Sequence, residues 1–459
     1  MVVDVLLLCL LASLCFGLSL AYHNFLRLIF AFVSGICAGY ARQVVILQDQ
    51  AKLAAYYGQE IVLVGVLLED ATEREAQLRL RIGGLSLNYS TNIKNCQVYA
   101  ILASSSAGAS TDLRRSDRVT LRGRLSEGFG EYAGFVYRPE LVSLGKPSPP
   151  DFANQLKQRF AENIQSLFEP EVSSLALGYL VGDKSGMSED FTEQLRLAGL
   201  SHLVVTSGFH LSILLSVVKK ILGKISRAAI ILGTLAVVLA FISVTGFSAS
   251  MARAGLMSLL ALFAWYFGRK FHPARLFLYV VALTLLLNPY NLQNIGWQLS
   301  FAAYFGIIFF APVLTKYLYG CAKPGFLTGA FLVSLSAQLF CLPISIYYFG
   351  MFSVAGLFLG LIISPTIAPI MALTLLSGTF LPLAAKPTVL IIRIHLYLIN
   401  LAAQIPWASF TLPAGNAVIL LAYLPLCVLL FILKRRSHYD FRPQATLAKS
   451  QKYGRIYAC

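Results

Sequence analysis

Charge is what this sequence has least of. Only 13% of its 459 residues are charged, against 57% that are hydrophobic. An ordinary soluble domain carries roughly 25% charged residues. A soluble protein this poor in charge could not cover its surface, whereas apolar side chains can face lipid directly. Acidic residues are scarcer still, 21 against 37 Lys and Arg, for a net charge of +16. Histidine is rare, with six in all, and none of them falls in an HxHxDH spacing. The eight cysteines form no CxxC pair, and Cys96 stands alone in the polar part of the chain. Neither a disulfide scaffold nor a metal site is predicted. No GKS or GKT occurs, so the chain supplies no nucleotide-driven motor of its own.

Long apolar runs are abundant. A helix needs about 20 apolar residues to cross a hydrocarbon core about 30 Å thick. Eleven runs qualify: 3–21, 25–41, 203–222, 227–246, 250–268, 274–289, 297–315, 326–348, 354–381, 388–408 and 414–433. Two are candidates for broken or re-entrant helices, 203–222 with His210 and 354–381 with Pro365 and Pro369. The start, Met-Val-Val-Asp, lacks the positive region of a cleaved signal peptide, so residues 1–41 are expected to be a retained hairpin. Basic loops collect on the cytoplasmic side of membrane proteins. Lys219, Lys220, Lys224 and Arg227, then Arg269, Lys270 and Arg275, and a tail at 434–459 with seven basic residues, are all expected inside. The N-terminus and residues 42–150 are then outside.

Residues 42–150 differ in kind, with thirteen Lys and Arg against eleven Asp and Glu. Ile61–Leu68, Leu78–Ile82, Val119–Leu125 and Gly134–Val142 read as short strands between Gly and Ser clusters. The segment is predicted to be a small extracytoplasmic all-β domain, with a five-stranded OB-like barrel fitting its size. Arg114, Arg115, Arg118, Arg122 and Arg124 are its candidate DNA-binding residues, a solvated strand face being the alternative. Tyr89, Tyr99, Phe129, Tyr132 and Tyr137 are available as stacking platforms, though the sequence does not gather them on one face. Asp151 is placed to cap an amphipathic helix within 151–172, at the outer interface or packed on the bundle.

The stretch Leu175–Leu215 is too polar for an idle membrane segment. Gly182, Asp183, Lys184, Ser185 and Gly186 form a turn, and Ser188 opens a short helix. Asp183 is expected to brace this turn, by capping or by pairing with Lys184 or Arg196. His202, Thr206 and His210 recur at i, i+4, i+8, with Ser207 beside them, and share one helical face. Polar groups at membrane depth are costly and usually face a bundle interior or a watery cavity.

These residues carry a resemblance. Gly182-Asp183, Ser185-Gly186 and Ser188, then Ala198-Gly199-Leu200, His202 and Leu203, then Ser207-Gly208 and His210, closely resemble the signature of the ComEC family of competence proteins. Met187 and Phe209 stand where that pattern usually has Leu. Thr245–Ser248 with Arg253–Met257, Asn288-Pro289 with Gly296–Phe301, and Ser336–Gln338 with Leu342-Pro343 follow in the family's order. The resemblance implies a multi-pass protein of the bacterial inner membrane that conducts single-stranded DNA during natural transformation, with 173–433 as the channel domain. It also implies an OB-like domain outside and a cytoplasmic C-terminus.

Many members carry a metallo-β-lactamase-like nuclease. The missing ligand spacing predicts no catalytic residues, metal or cofactor here, with the nuclease either absent or encoded on another chain. A separate DNA receptor and a cytoplasmic ATPase are the further expected partners, beside membrane lipid. Arg253, Gln298 and Gln338 join His202, Thr206, Ser207 and His210 as candidate pathway-lining residues. Headgroup snorkelling is the plainer reading of Arg253, and interhelical hydrogen bonding that of the amides. Two other function classes stay open: a transporter of another polar or anionic solute, and a non-conducting scaffold that displays a nucleic-acid-binding domain.

Overall fold

The structure, a computed structural model, describes residue 44 and residues 48–437, apart from 75–76, 89–90, 104–112, 129–131, 147–150, 184–185, 201–203, 205–207, 224, 247–248, 269–272, 321, 323, 380–381, 406–408 and 412–420. The apolar runs at 3–21 and 25–41 lie outside the described residues, as does the tail beyond 437.

Seven strands form the polar part: β1 (Glu60–Leu67), β2 (Thr72–Arg74), β3 (Gln77–Leu87), β4 (Thr91–Ala103), β5 (Arg118–Glu127), β6 (Gly134–Tyr137) and β7 (Glu140–Gly145). Five of them close a ring in the order β1-β3-β4-β6-β5, sealed by pairing of β5 with β1, while β2 and β7 lie off it. Only the β4–β6 contact in the ring is parallel. This is a five-stranded OB-like barrel. Alternation explains the closure, since Ile61, Leu63 and Leu67 of β1, Leu78, Leu80 and Ile82 of β3, and Val119, Leu121 and Leu125 of β5 all point inward and are buried. Each such side chain contributes about 1.5–3 kcal/mol by leaving water. The apolar run Gly134–Val142 is split into β6 and β7, because Arg138 between them takes a positive φ of 47° and turns the chain. Strand β4 has no counterpart among the strands expected from sequence. Its first half reads Thr-Asn-Ile-Lys-Asn, polar enough to hide the alternation that follows.

Past the barrel the chain is helical: α1 (Phe152–Leu167), α2 (Pro170–Val181), α3 (Glu189–Leu197), α4 (Gly208–Leu222), α5 (Arg227–Thr245), α6 (Ala249–Tyr266) and α7 (Pro273–Leu287). Then come α8 (Ile295–Tyr319), α9 (Phe326–Phe349), α10 (Ala355–Thr379), α11 (Ala385–Ala403) and α12 (Tyr423–Ser437). Five of these, α5, α8, α9, α10 and α11, are long and apolar enough to cross a membrane. Helix α10 is unbroken, although Pro365 and Pro369 lie inside it. Its Gly356, Gly360, Ile363, Ile367 and Met371 are buried, and it packs on α1, α2, α9 and α11, so neighbours hold it straight where its own hydrogen bonds are missing. A π-turn at Gly306–Phe310 bends the ladder of α8.

The amphipathic helix α1 packs on the bundle. The Asp151 carboxylate accepts from the Asn154 N–H at 3.0 Å and caps it. Phe160 and Ile164 then lie against Gly378 of α10. Burial works to raise the Asp151 carboxyl, but the Asn154 N–H, the Ser116 hydroxyl and the Arg115 guanidinium outweigh it and hold it below its usual range.

Candidate functional site

The helices α4, α6 and α8 meet around one cation. Arg253, in the first turns of α6, is turned inward instead of toward headgroups. Its Nε donates to Ser300 Oγ of α8 at 2.7 Å. Its guanidinium sits 5.1 Å from the centre of the Tyr304 ring. Ser250 Oγ lies 3.0 Å from Ser300 Oγ and accepts from the Gly208 N–H at 3.1 Å. Three helices are thereby stitched by hydroxyls at the point where the charge is held. Gly208 is required there by space: a Cβ would sit 2.9 Å from the Ala254 Cβ and 3.0 Å from Arg253 Nη2. Among the described residues, no carboxylate forms an ion pair with Arg253. Beside it opens a cavity of about 190 Å³ whose lining includes Lys219, Ser212, Ser258 and Tyr304. An unpaired guanidinium among apolar helices is expensive to keep. An adjoining cavity open enough to admit water offsets part of that cost, and the second cation, Lys219, makes the spot electropositive.

The other expected pathway residues fall in different places. His210, fully buried in α4, is absent from the cavity lining. His202, Thr206 and Ser207 lie outside the described residues, so their shared face with His210 is not described. Gln298 donates to the Leu292 carbonyl at 2.6 Å and lies 3.2 Å from the Tyr348 hydroxyl, so it ties α8 to α9. Gln338 is half-buried in α9, away from the Arg253 cavity.

The turn after α2 is a structural joint. Gly182 ends α2 in the left-handed region, at φ 72°, with its N–H on the Gly178 carbonyl. Ser188 Oγ then accepts from the Phe191 N–H at 3.2 Å and starts α3. Lys184 and Ser185 lie outside the described residues, and Gly186 lies against the Ser174 side chain. Lys184, one of the two partners expected for Asp183, is therefore not described. Arg196 is taken by Glu193 at 2.9 Å, while Asp183 meets Lys157 of α1 at 3.4 Å. Lys157 also binds Asp70 of the β-barrel at 2.6 Å. Burial pulls the Lys157 ammonium down, but Asp183 and Asp70 outweigh it and raise it. One lysine therefore joins barrel, α1 and the signature turn, a link with no local spacing to betray it.

The arginines expected to bind DNA divide. Arg115 is a second strut, donating to Asp151 at 3.2 Å and to the Ser243 carbonyl of α5. Arg114 is half-buried in the same corner. Arg118, Arg122 and Arg124 are exposed on one face of β5, but Arg122 pairs with Glu60 and Arg124 donates to the Gly58 carbonyl.

A further buried set gathers around His395, a polar residue within the apolar run 388–408, whose partners the sequence does not indicate. His395 of α11 lies 3.2 Å through Nδ1 from the Tyr179 hydroxyl and 2.7 Å through Nε2 from Thr366 Oγ1. Thr366 donates to the Ile363 carbonyl. The bonds are mutually consistent for a neutral imidazole with its proton on Nε2, which joins α2, α10 and α11. Among the described residues no group of three or more His, Cys, Asp or Glu is placed to hold a metal.

An apolar multi-helix bundle and an OB-like barrel strapped to it by Lys157 and Arg115 define a helical membrane protein with a small β domain. Residues 179–437, more than half of the chain, match the family described as Competence protein, and the chain belongs to that family. It is 28% identical over 214 residues to ComE operon protein 3 of Bacillus subtilis (strain 168). That match covers 46% of this chain and 26% of the relative, so the chain spans about a quarter of the curated protein it matches. No solved structure matches it.

Proposed function

We propose that this protein is an inner-membrane channel for single-stranded DNA during natural transformation. The observation that carries the reading is Arg253, a guanidinium with no carboxylate partner among the described residues, beside a cavity that Lys219 shares. A phosphate chain cannot enter hydrocarbon, and a wet path lined by cations lowers that barrier. Membership of the competence family supports DNA as the substrate. The barrel and the N-terminus stand outside in this account and the basic C-terminal end stands inside, because the Lys- and Arg-rich loops then face the cytoplasm. The protein is a conduit and not an enzyme. A DNA receptor and a cytoplasmic ATPase act with it as separate chains.

The test is nuclease-protected uptake. Cells that carry the chain should move labelled DNA into a compartment that external nuclease cannot reach, and cells lacking it should hold the label outside. Equal protection in both strains would overturn the reading.

A further inference from the structure

The barrel register builds a row that no local pattern announces. Arg81 of β3 stands opposite Tyr99 of β4, and Tyr99 stands opposite Phe135 of β6. The next row along is Arg79, Ile101 and Tyr137. All six face outward, because Leu80, Ile82, Val98, Ala100 and Val136 between them are buried. Tyr132, just before β6, extends the row, its ring 4.9 Å from Tyr99. Tyr99 and Phe135 are near-parallel, at 16° and 6.3 Å, and Phe135 and Tyr137 follow at 30° and 6.3 Å. Cations flank both ends: Arg81 lies 5.4 Å over the Tyr132 ring and Arg138 lies 5.3 Å over Tyr137.

At the Tyr132 end is a cavity of about 220 Å³ lined by Glu69, Asp70, Arg79, Arg81, Tyr99 and Tyr132. Its two carboxylates are already engaged, Glu69 by Arg81 at 2.9 Å and Asp70 by Lys157 at 2.6 Å. Arg79 Nε is buried with no hydrogen-bond partner among the described residues. These rings lie outside the barrel core and do not help to fill it. Four successive rings with cations beside them are the combination that a single strand requires, with faces for bases and positive charge for phosphates.

We propose that this strip is where the barrel grips single-stranded nucleic acid, stacking bases on Tyr99, Phe135 and Tyr137 while Arg79 and Arg138 meet phosphates. The proposal deepens the import reading and takes its biological purpose from it. It moves the contact from the Arg118, Arg122 and Arg124 face of β5 to the face of β3, β4 and β6. Because every base has a π-face, the grip is indifferent to sequence, and a duplex hides the faces it needs. The Tyr132 end adjoins Asp70, so the strip leads to the Lys157 joint and thence to the Asp183 turn.

The experiment measures binding of labelled oligothymidylate to the purified full chain in detergent by fluorescence anisotropy. Tyr137→Ala and Tyr99→Ala should each weaken binding about fivefold or more. Tyr137→Phe, which keeps the ring, should bind as the parent does, and Arg118→Ala with Arg122→Ala should change little. An abasic strand of the same length should bind more weakly than oligothymidylate. Tyr137 is 52% exposed, so its removal leaves the fold intact. Unaltered affinity in Tyr137→Ala, equal binding of the abasic strand, or displacement of the oligonucleotide by an uncharged glycan oligomer would overturn the proposal. Failure of the unsubstituted chain to import DNA, with ring-dependent binding intact, would overturn the import reading and leave the strip standing.

Discussion

Lys157 ties three parts of the architecture together. Its ammonium joins Asp70 and Asp183, two carboxylates 113 positions apart in sequence by their numbers, 183 less 70. Lys157→Met takes the ammonium away from both carboxylates in a half-buried corner and should cost about 2–4 kcal/mol. Thermal unfolding of the purified protein reads that loss, and an unchanged midpoint would mean that the pairs are superficial. The pH dependence follows from the raised ammonium. A group whose folded pKa lies above its unfolded value stabilises fully below the unfolded value, near 10.5, and loses that contribution as pH rises through the folded pKa. The joint should therefore hold across neutral pH and weaken only above about pH 10.5, and its loss should be absent from the Lys157→Met profile. Asp151, held low, behaves in the opposite sense: its contribution is present above the ordinary carboxyl range and fades as pH falls through its depressed pKa. Sequence reading gave Asp183 a bracing role but did not find Lys157 as a partner. Lys184 and Arg196 were near in sequence, while Lys157 is brought near only by packing of α1 on the bundle.

Among the elements, periodicity decided what was legible. The apolar runs marked the long helices and β1, and alternation marked β3 and β5. Strand β4 escaped because polar residues open it, and the ring order escaped because β4 and β6 pair in parallel across a long connection. The aromatic row was illegible for the same reason, since Tyr99 and Phe135 are neighbours only through that pairing. Pro365 and Pro369 suggested a break in α10 that packing removes. In the barrel, Ile82 is fully buried and its side chain presses on Gly65. Ile82→Ala should destabilise the protein by about 2–5 kcal/mol. At the α4–α6 crossing, Gly208→Val should displace Arg253 and cut DNA uptake at least tenfold while the protein still reaches the membrane. Uptake at the parental rate would show that the crossing tolerates a side chain.

The whole molecule is a barrel fastened to a bundle whose helices enclose an unusual charge. Reporter fusions after residues 145 and 436 should report opposite sides of the membrane if the positive loops face the cytoplasm, and same-side signals would reverse the arrangement. The central claim is that Arg253 lies on the path of the DNA, and labelled DNA reaching the cytoplasm of a transformable host tests it. With protein levels in the membrane matched, Arg253→Gln, which keeps a hydrogen-bond donor for Ser300 and loses the charge, should lower uptake at least tenfold. Arg253→Lys should retain part of it. Parental uptake by Arg253→Gln at parental protein level would contradict the account and leave Arg253 a packing residue.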